Sequence, residues 1–213
     1  RKLRIACVAG LVFGTIDAQT PPIEDYLGGE IIARIRRVLR RPLVPLGSFT
    51  QVMHNNWKLY FENARDSYHS SILHLFFTKF NVVRMSHPGG ILVDPSGAHH
   101  ASFTFGAPSG KDDAYDSTAM RANPTGFSLA DPRILDYIPE QADGGNAQIL
   151  SVFPNLVVQQ IQNSLAVRQV IPKGVDRTHL VWTYFGYDDD TEQLRALRLR
   201  HANFVGPAGY ISM

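Results

Sequence analysis

One cysteine, Cys7, stands in a chain of 213 residues. A lone thiol excludes an internal disulfide, a multi-cysteine zinc site and any iron–sulfur cluster held by this chain alone. It points to a reducing compartment, the cytoplasm. Charge of one sign is also lacking: 21 Lys+Arg against 19 Asp+Glu leave +2, too little for a nucleic-acid footprint. Every apolar run is broken by Gly, Pro or charge before it could span a bilayer, so no membrane partner is expected. No internal repeat and no low-complexity tract occurs. An initiating Met is missing; the chain opens Arg1-Lys2-Leu3-Arg4, which places the native N-terminus upstream or implies its removal. The apolar stretch from Ile5 to Gly14 has the outline of a signal peptide. Gly10 and Gly14 punctuate it and no small-residue cleavage site follows, so it reads instead as a buried strand.

Hydrophobic residues are 44% and charged residues 19%, the balance of a globular chain long enough for one large domain or two small ones. Thr20 to Gly28 carries a capping residue, prolines for a first turn, early acids and a terminating glycine. Ile31 to Arg40 spaces Ile31, Ile32, Ile35, Val38 and Leu39 near a 3.6 period, an amphipathic helix. Its Arg36-Arg37 and Arg40-Arg41 pairs suit a solvated face, or a docking surface. Leu46 to Leu59 has strand character, and Glu62 to Leu75 leans towards helix. Short strands are expected at 82–85, 91–93 and 101–105, separated by Pro-Gly turns. Residues 106–146, rich in Gly, Pro, Asp and Ser, form a long excursion of the kind that covers a site, with one helix near Pro132 to Tyr137. Four strands follow, 148–153, 156–161, 164–171 and 179–187, with no crossover helices between them, so they pair antiparallel. Asp190 or Thr191 then caps a last helix, Glu192 to about Val205, which stops at Gly206-Pro207. The fold class is α+β, an antiparallel sheet with helices packed over one face in a helix-grip-like arrangement.

The stretch from Asn55 to His74 concentrates chemistry, with two histidines among several carboxylates and carboxamides. Asp66 and His69 are three apart, neighbours if helical, so the carboxylate can accept the imidazole's second N–H. That bond would fix the tautomer and leave the other ring nitrogen for a metal. His69 and His74 are five apart and diverge by roughly 140° on a straight helix. They converge on one ion only if the helix bends or ends between them. Imidazoles suit iron, copper, zinc or nickel, and two His with one carboxylate suit non-haem Fe(II). Histidines packed beside a helix and bonded to backbone carbonyls would account for the same spacing.

Asn56-Trp57-Lys58, Glu62-Asn63, Asp66-Ser67-Tyr68-His69 and His74 together resemble the mononuclear-iron motif of the Rieske non-haem iron aromatic-ring-hydroxylating oxygenases, large (α) subunit. Gly10-Leu11-Val12-Phe13-Gly14 leading to Tyr26-Leu27-Gly28 is similar to the entry of that family's catalytic domain. Gln159 to Ser164 and Ala202 to Gly209 are similar to its aromatic-carboxylate branch, whose substrates include terephthalate, salicylate and anthranilate. The resemblance covers essentially the whole chain. It implies that 1–213 is a catalytic (mononuclear iron) domain, truncated and without the Rieske [2Fe–2S] domain that members carry first. His69 and His74 would be two iron ligands. The third, an Asp, is expected beyond Met213, a few residues into the helix after Gly206-Pro207-Ala208-Gly209. Asp66 would be the electron-transfer bridge to the cluster of an adjacent subunit in a trimer. Asn63 stands one residue closer to Asp66 than the asparagine that faces the iron in naphthalene-type members.

An aromatic acid needs an apolar slot for its ring and a cation for its carboxylate, a task suited to the Arg fork. Arg168 sits mid-strand, where a charge is unusual; an outward-facing residue on an alternating strand would also explain it. The resemblance matches Arg168 to a carboxylate-binding arginine, and Ser102 and Ile149 to substrate-pocket positions. Val152, Phe153 and Leu156 are candidates for apolar wall. His99-His100 is expected as an exposed turn pair with a structural role or one behind the site, and His54, His87, His179 and His201 show no partner pattern. The implied cofactor is Fe(II), with [2Fe–2S] in the missing domain. The implied reaction adds O2 to a terephthalate-like aromatic carboxylate to give a cis-dihydrodiol. The implied partners are a homotrimer or α3β3 assembly and a reductase, with or without a ferredoxin, delivering NAD(P)H electrons. A salicylate- or anthranilate-type ring hydroxylase is the alternative within the class. A non-catalytic helix-grip ligand-binding module is the alternative outside it.

Overall fold

A computed structural model describes residues 2–106, 128–207 and 209. It opens with a hairpin, β1 (Arg4–Val8) and β2 (Leu11–Thr15), joined at Ala9 and Gly10 with φ of 50° and 83°. Two consecutive left-handed residues make the tight turn whose twist matches paired strands. The single strand expected across Ile5–Gly14 is therefore two. Helix α1 (Ile23–Val38) follows, broken at Gly28, whose φ of 71° lies in the left-handed region open to glycine. The glycine expected to end one helix instead marks the bend between two helical segments.

Strands β3 (Leu43–Met53), β4 (Gly89–Val93), β5 (His99–Phe105), β6 (Gly145–Val152), β7 (Leu156–Ile161), β8 (Ser164–Pro172) and β9 (Thr178–Tyr187) form one antiparallel sheet in the order β3-β9-β8-β7-β6-β5-β4. Helices α2 (Trp57–Arg65), α3 (Ser70–Leu73) and α4 (Leu75–Lys79) lie between β3 and β4, and α5 (Glu192–Val205) closes the described chain. The strand expected over Leu46–Leu59 stops at Met53, because Asn56 accepts Lys58 N–H and starts α2 at Trp57. Residues 82–85 form turns and bends rather than a strand. Most of the long excursion, including any cover it makes, lies outside the described residues. Its expected helix is a single 3₁₀ turn, Pro132–Leu135.

The class is the α+β one expected, but the helices divide between both faces of the sheet. Leu27, Ile31, Ile35 and Val38 of α1 pack with Leu150, Val152, Val158 and Leu165. On the opposite parity, Tyr60 of α2 meets Ala166, Val170, Leu180 and Trp182, while α4 and α5 meet Ala147, Ile149 and Ile161. The four α1 side chains are at most 1% exposed, each worth about 1.5–3 kcal/mol of burial. Covering both faces removes the polar-apolar alternation that would tell them apart in sequence. Among the described residues, no helix is long and apolar enough to cross a membrane.

Candidate active site

Helix α2 ends at Asp66, whose extended backbone turns the chain and whose Oδ1 accepts Tyr68 N–H at 2.8 Å and His69 N–H at 3.4 Å. This Asx turn, not a continuing helix, brings Asp66 and His69 together. His69 starts α3 and His74 ends it, with φ −90° and ψ 73° breaking the helix before α4. The condition set by the five-residue spacing is thus met. The two imidazoles lie edge to face with centroids 5.1 Å apart and planes at 71°.

Asp66 Oδ2 lies 3.3 Å from His69 Nδ1, an ion-pair distance without the alignment of a hydrogen bond. The other ring nitrogen, Nε2, is 3.3 Å from Asn63 Nδ2. Desolvation pushes the Asp66 carboxyl up, but the two backbone N–H groups and the His69 ring outweigh it and hold it below its usual value. Burial, and then the His69 charge, push His74 down to about 4. His74 is therefore neutral at neutral pH, the state in which an imidazole ligates a metal.

Asp66, His69 and His74 line a cavity of about 350 Å³ together with Ser102, Ile149 and Arg168. Ser102 and Ile149 are direct cross-strand partners on β5 and β6. Arg168 is 5% exposed. Its Nη1 donates to Tyr60 Oη at 2.7 Å, and its guanidinium lies 4.2 Å from the centre of the Trp182 ring, its neighbour across the ladder. Among the described residues, Arg168 Nε has no acceptor and no carboxylate pairs with the guanidinium. The outward-facing alternative for Arg168 is excluded by this burial.

The residues fit a non-haem iron site in part. Two imidazoles, one backed by a carboxylate, are the nitrogen donors such a site uses. Among the described residues, no third His, Cys, Asp or Glu completes a cluster with them.

Residues 39–205 match the family of ring hydroxylating alpha subunits (catalytic domain). The chain belongs to this family. Among curated ring-hydroxylating relatives, it is 53% identical over 213 residues to the terephthalate 1,2-dioxygenase terminal oxygenase component subunit alpha 2 of Comamonas sp., covering 100% of this chain and 52% of that one. It is 44% identical to the anthranilate 1,2-dioxygenase large subunit of Burkholderia cepacia, over 100% of this chain and 51% of the relative. The chain thus spans about half the length of the curated relatives it matches. Naphthalene 1,2-dioxygenase from Rhodococcus sp. shares the fold, with a TM-score of 0.73 at 19% identity over 98% of this chain and 51% of that structure.

Several expectations about this member of the family change. Val152 and Leu156 pack with α1 on the far face, and Phe153 packs against Trp57 and Phe61, so none of the three joins the cavity wall. His99 and His100 are buried at the start of β5 rather than exposed in a turn. His99 bridges Tyr26 O and Phe153 N–H at 3.0 and 3.2 Å, a structural tie between α1 and the β6–β7 turn. His87 lines the cavity although its sequence context shows no partner pattern. Tyr60 and Trp182, which hold Arg168, were equally invisible. The signal available for them was an aromatic placed one turn before Asn63 and another at the ladder position opposite a mid-strand arginine.

Proposed function

We propose that this chain is the catalytic domain of a terminal oxygenase component that hydroxylates an aromatic carboxylate. One observation carries the reading. A buried arginine without a carboxylate partner among the described residues faces the same cavity as a pair of histidines whose ring centres are 5.1 Å apart. A buried cation left unpaired is costly, and an anionic ligand relieves that cost. The 53% identity to a terephthalate 1,2-dioxygenase component supports a terephthalate-like substrate and ring dihydroxylation to a cis-dihydrodiol.

In this reading His69 and His74 hold a mononuclear Fe(II), with an Asp beyond Met213 as third ligand. The ion, when bound, supplies the activation of O2. Arg168 grips the substrate carboxylate through its fork, pre-oriented by Tyr60 and Trp182. Ser102 and Ile149 flank the ring, and Asp66 fixes the His69 ring and forms the electron entry. The cavity wall excludes water and fixes the pose, which is the protein's share of the work. The electrons would come from NAD(P)H through a reductase, with or without a ferredoxin, and a [2Fe–2S] cluster in a preceding domain. The assembly would be a homotrimer or α3β3.

The test is anaerobic Fe(II) binding to this chain and to one extended past Met213 through the next helix, each with its His69→Ala variant. Terephthalate, salicylate and anthranilate binding is measured on the extended chain. One iron held by the extended chain and lost in the variant supports the reading. Acid binding without iron leaves a ligand-binding module of the same shape, and loss of both removes the proposal.

A further inference from the structure

Among the described residues seven side-chain carboxamides are buried, at Gln141, Asn146, Gln148, Gln159, Gln160, Gln162 and Asn163, and four of them are bonded at both ends. Gln148 donates to Arg34 O at 3.0 Å. Asn146 accepts from Thr104 and donates to Val82 O. Gln160 accepts from Arg37 and donates to the carbonyls of Asn146 and Gln162. Asn163 accepts Ile138 N–H and donates to Ile138 O and Glu140. Gln159 differs. It is 0% exposed and neither Oε1 nor Nε2 has a partner among the described residues, whereas at Gln162, 8% exposed, the bare atom is Oε1 alone. Burying both ends of an amide unbonded is expensive, and a group so placed calls for a polar partner.

Its position says which partner. Gln159 pairs with Ile149 on one side and Ala166 on the other. In the same ladder line Ile149 pairs with Ser102. Ile149, Ser102 and Ile161, two residues on, all line the cavity of the histidines. Arg168 pairs with Val157 and is therefore the diagonal neighbour of Gln159, within reach of long side chains. Gln159 is not itself a lining residue; it lies flanked by residues that are. Two further bare polar atoms stand at its diagonals, Arg168 Nε and Ser151 Oγ.

We propose that Gln159 is a specificity-determining residue of this cavity, its carboxamide bonding the polar substituent that the aromatic acid carries besides the carboxylate held by Arg168. This rests on the aromatic-carboxylate reading of the cavity. By turning, the carboxamide presents N–H to a second carboxylate or a hydroxyl, and its carbonyl to an amine. A group that hydrogen-bonds a substituent discriminates against the ring that lacks it, whereas an apolar wall does not.

The experiment measures equilibrium binding of benzoate, terephthalate, salicylate and anthranilate to the intact protein, in wild type, Gln159→Met and Gln159→Glu. Met keeps the length and removes both hydrogen-bonding ends. The expected result in Gln159→Met is a loss of about tenfold in the preference of substituted acids over benzoate, with benzoate held as well or better. In Gln159→Glu, terephthalate weakens more than anthranilate, whose amine still finds an acceptor. The proposal is overturned if all four acids weaken alike, which marks a structural role, or if the preference is unchanged in both variants. If wild type binds none of the acids, the reading of the cavity itself falls and takes this assignment with it. Because Gln159→Glu keeps the length and shape of the side chain and removes only its N–H donor end, the substituent order it shows decides the matter even where Gln159→Met folds poorly.

Discussion

Tyr60 Oη accepts a hydrogen bond from Arg168 Nη1 at 2.7 Å, joining helix α2 to the middle of strand β8. The guanidinium is also packed on Trp182, so the only charge at the centre of this sheet face is held from two sides and neutralised from none among the described residues. Replacing a buried, unpaired charge by an apolar chain of similar length removes a desolvation cost. Arg168→Met should therefore unfold at the same denaturant midpoint or higher, while aromatic-acid binding weakens roughly 100-fold, since losing one partner of a buried charge pair costs about 2–5 kcal/mol. Tyr60→Phe should keep binding in part, losing about 1–3 kcal/mol with the orphaned donor. Chemical denaturation and ligand titration of the same samples separate the two effects. Parallel losses in stability and binding for Arg168→Met would show the arginine to be structural.

Asp66 combines a fold role and a charge role that substitution can split. Its Oδ1 makes the turn that delivers His69, and an asparagine side-chain carbonyl makes the same turn. Asp66→Asn should then stay within about 0.5 kcal/mol of wild-type stability and, in the oxygenase proposed above, keep the Fe(II) while losing most of the reductase-driven turnover. Asp66→Ala should lose the turn and part of the iron as well. Iron content and turnover measured together decide this; full turnover in Asp66→Asn would remove the carboxylate from the electron path.

The sheet from β6 to β9 was legible because short apolar runs alternate with turn residues such as Gln162-Asn163, and no helix intervenes. The hairpin of β1 and β2 was not, because Ala9 takes a left-handed φ of 50° without an Asn or Gly to announce it. The split of helices between the two faces was hidden for a related reason. A strand buried on both sides, as β8 is, carries no alternation to show which face Arg168 shares. His69 and His74 were legible as candidates, but their meeting depends on the break at His74, a backbone angle that no periodicity encodes. His99 and His100 come directly after the Pro95-Ser96-Gly97 turn and Ala98, a context that reads as exposed, yet strand pairing with β6 buries both.

Arg198 holds α5 to the rest of the domain through two buried acids. It donates to both Asp190 oxygens at 2.6 and 2.9 Å, to Glu140, and to Asn163 O at 2.7 Å, with Arg198 and Asp190 side chains at 1% and 0% exposure. Removing one partner of such a network leaves carboxylates buried and unpaired. Arg198→Ala should cost about 3–5 kcal/mol, far more than Arg200→Ala, whose 3.7 Å contact with the exposed Asp136 is worth about 0–1 kcal/mol. Urea unfolding of the two variants is the comparison; equal costs would show that the network contributes no more than a surface pair.

The pair of Arg37 and Asp143 predicts how stability depends on acid. Arg37 Nε and Nη2 grip both Asp143 oxygens at 2.7 and 2.9 Å, and Gly145 N–H adds a third bond at 2.9 Å. The Arg37 hydrogen bonds, against the opposing effect of burial, hold the Asp143 carboxyl down at about 2, from 3.8 in the unfolded chain. The unfolded chain therefore binds this proton first as acid is added. The stabilisation is complete above roughly pH 4–5 and drains away as pH falls through about 2. With the Asp143 side chain 43% exposed, solvent screening reduces the contribution to about 1 kcal/mol. Asp143→Asn should accordingly be less stable than wild type by about that amount at pH 7, and the two unfolding curves should converge towards pH 2. A constant gap across that range would mean that the difference comes from the amide's packing and not from the charge.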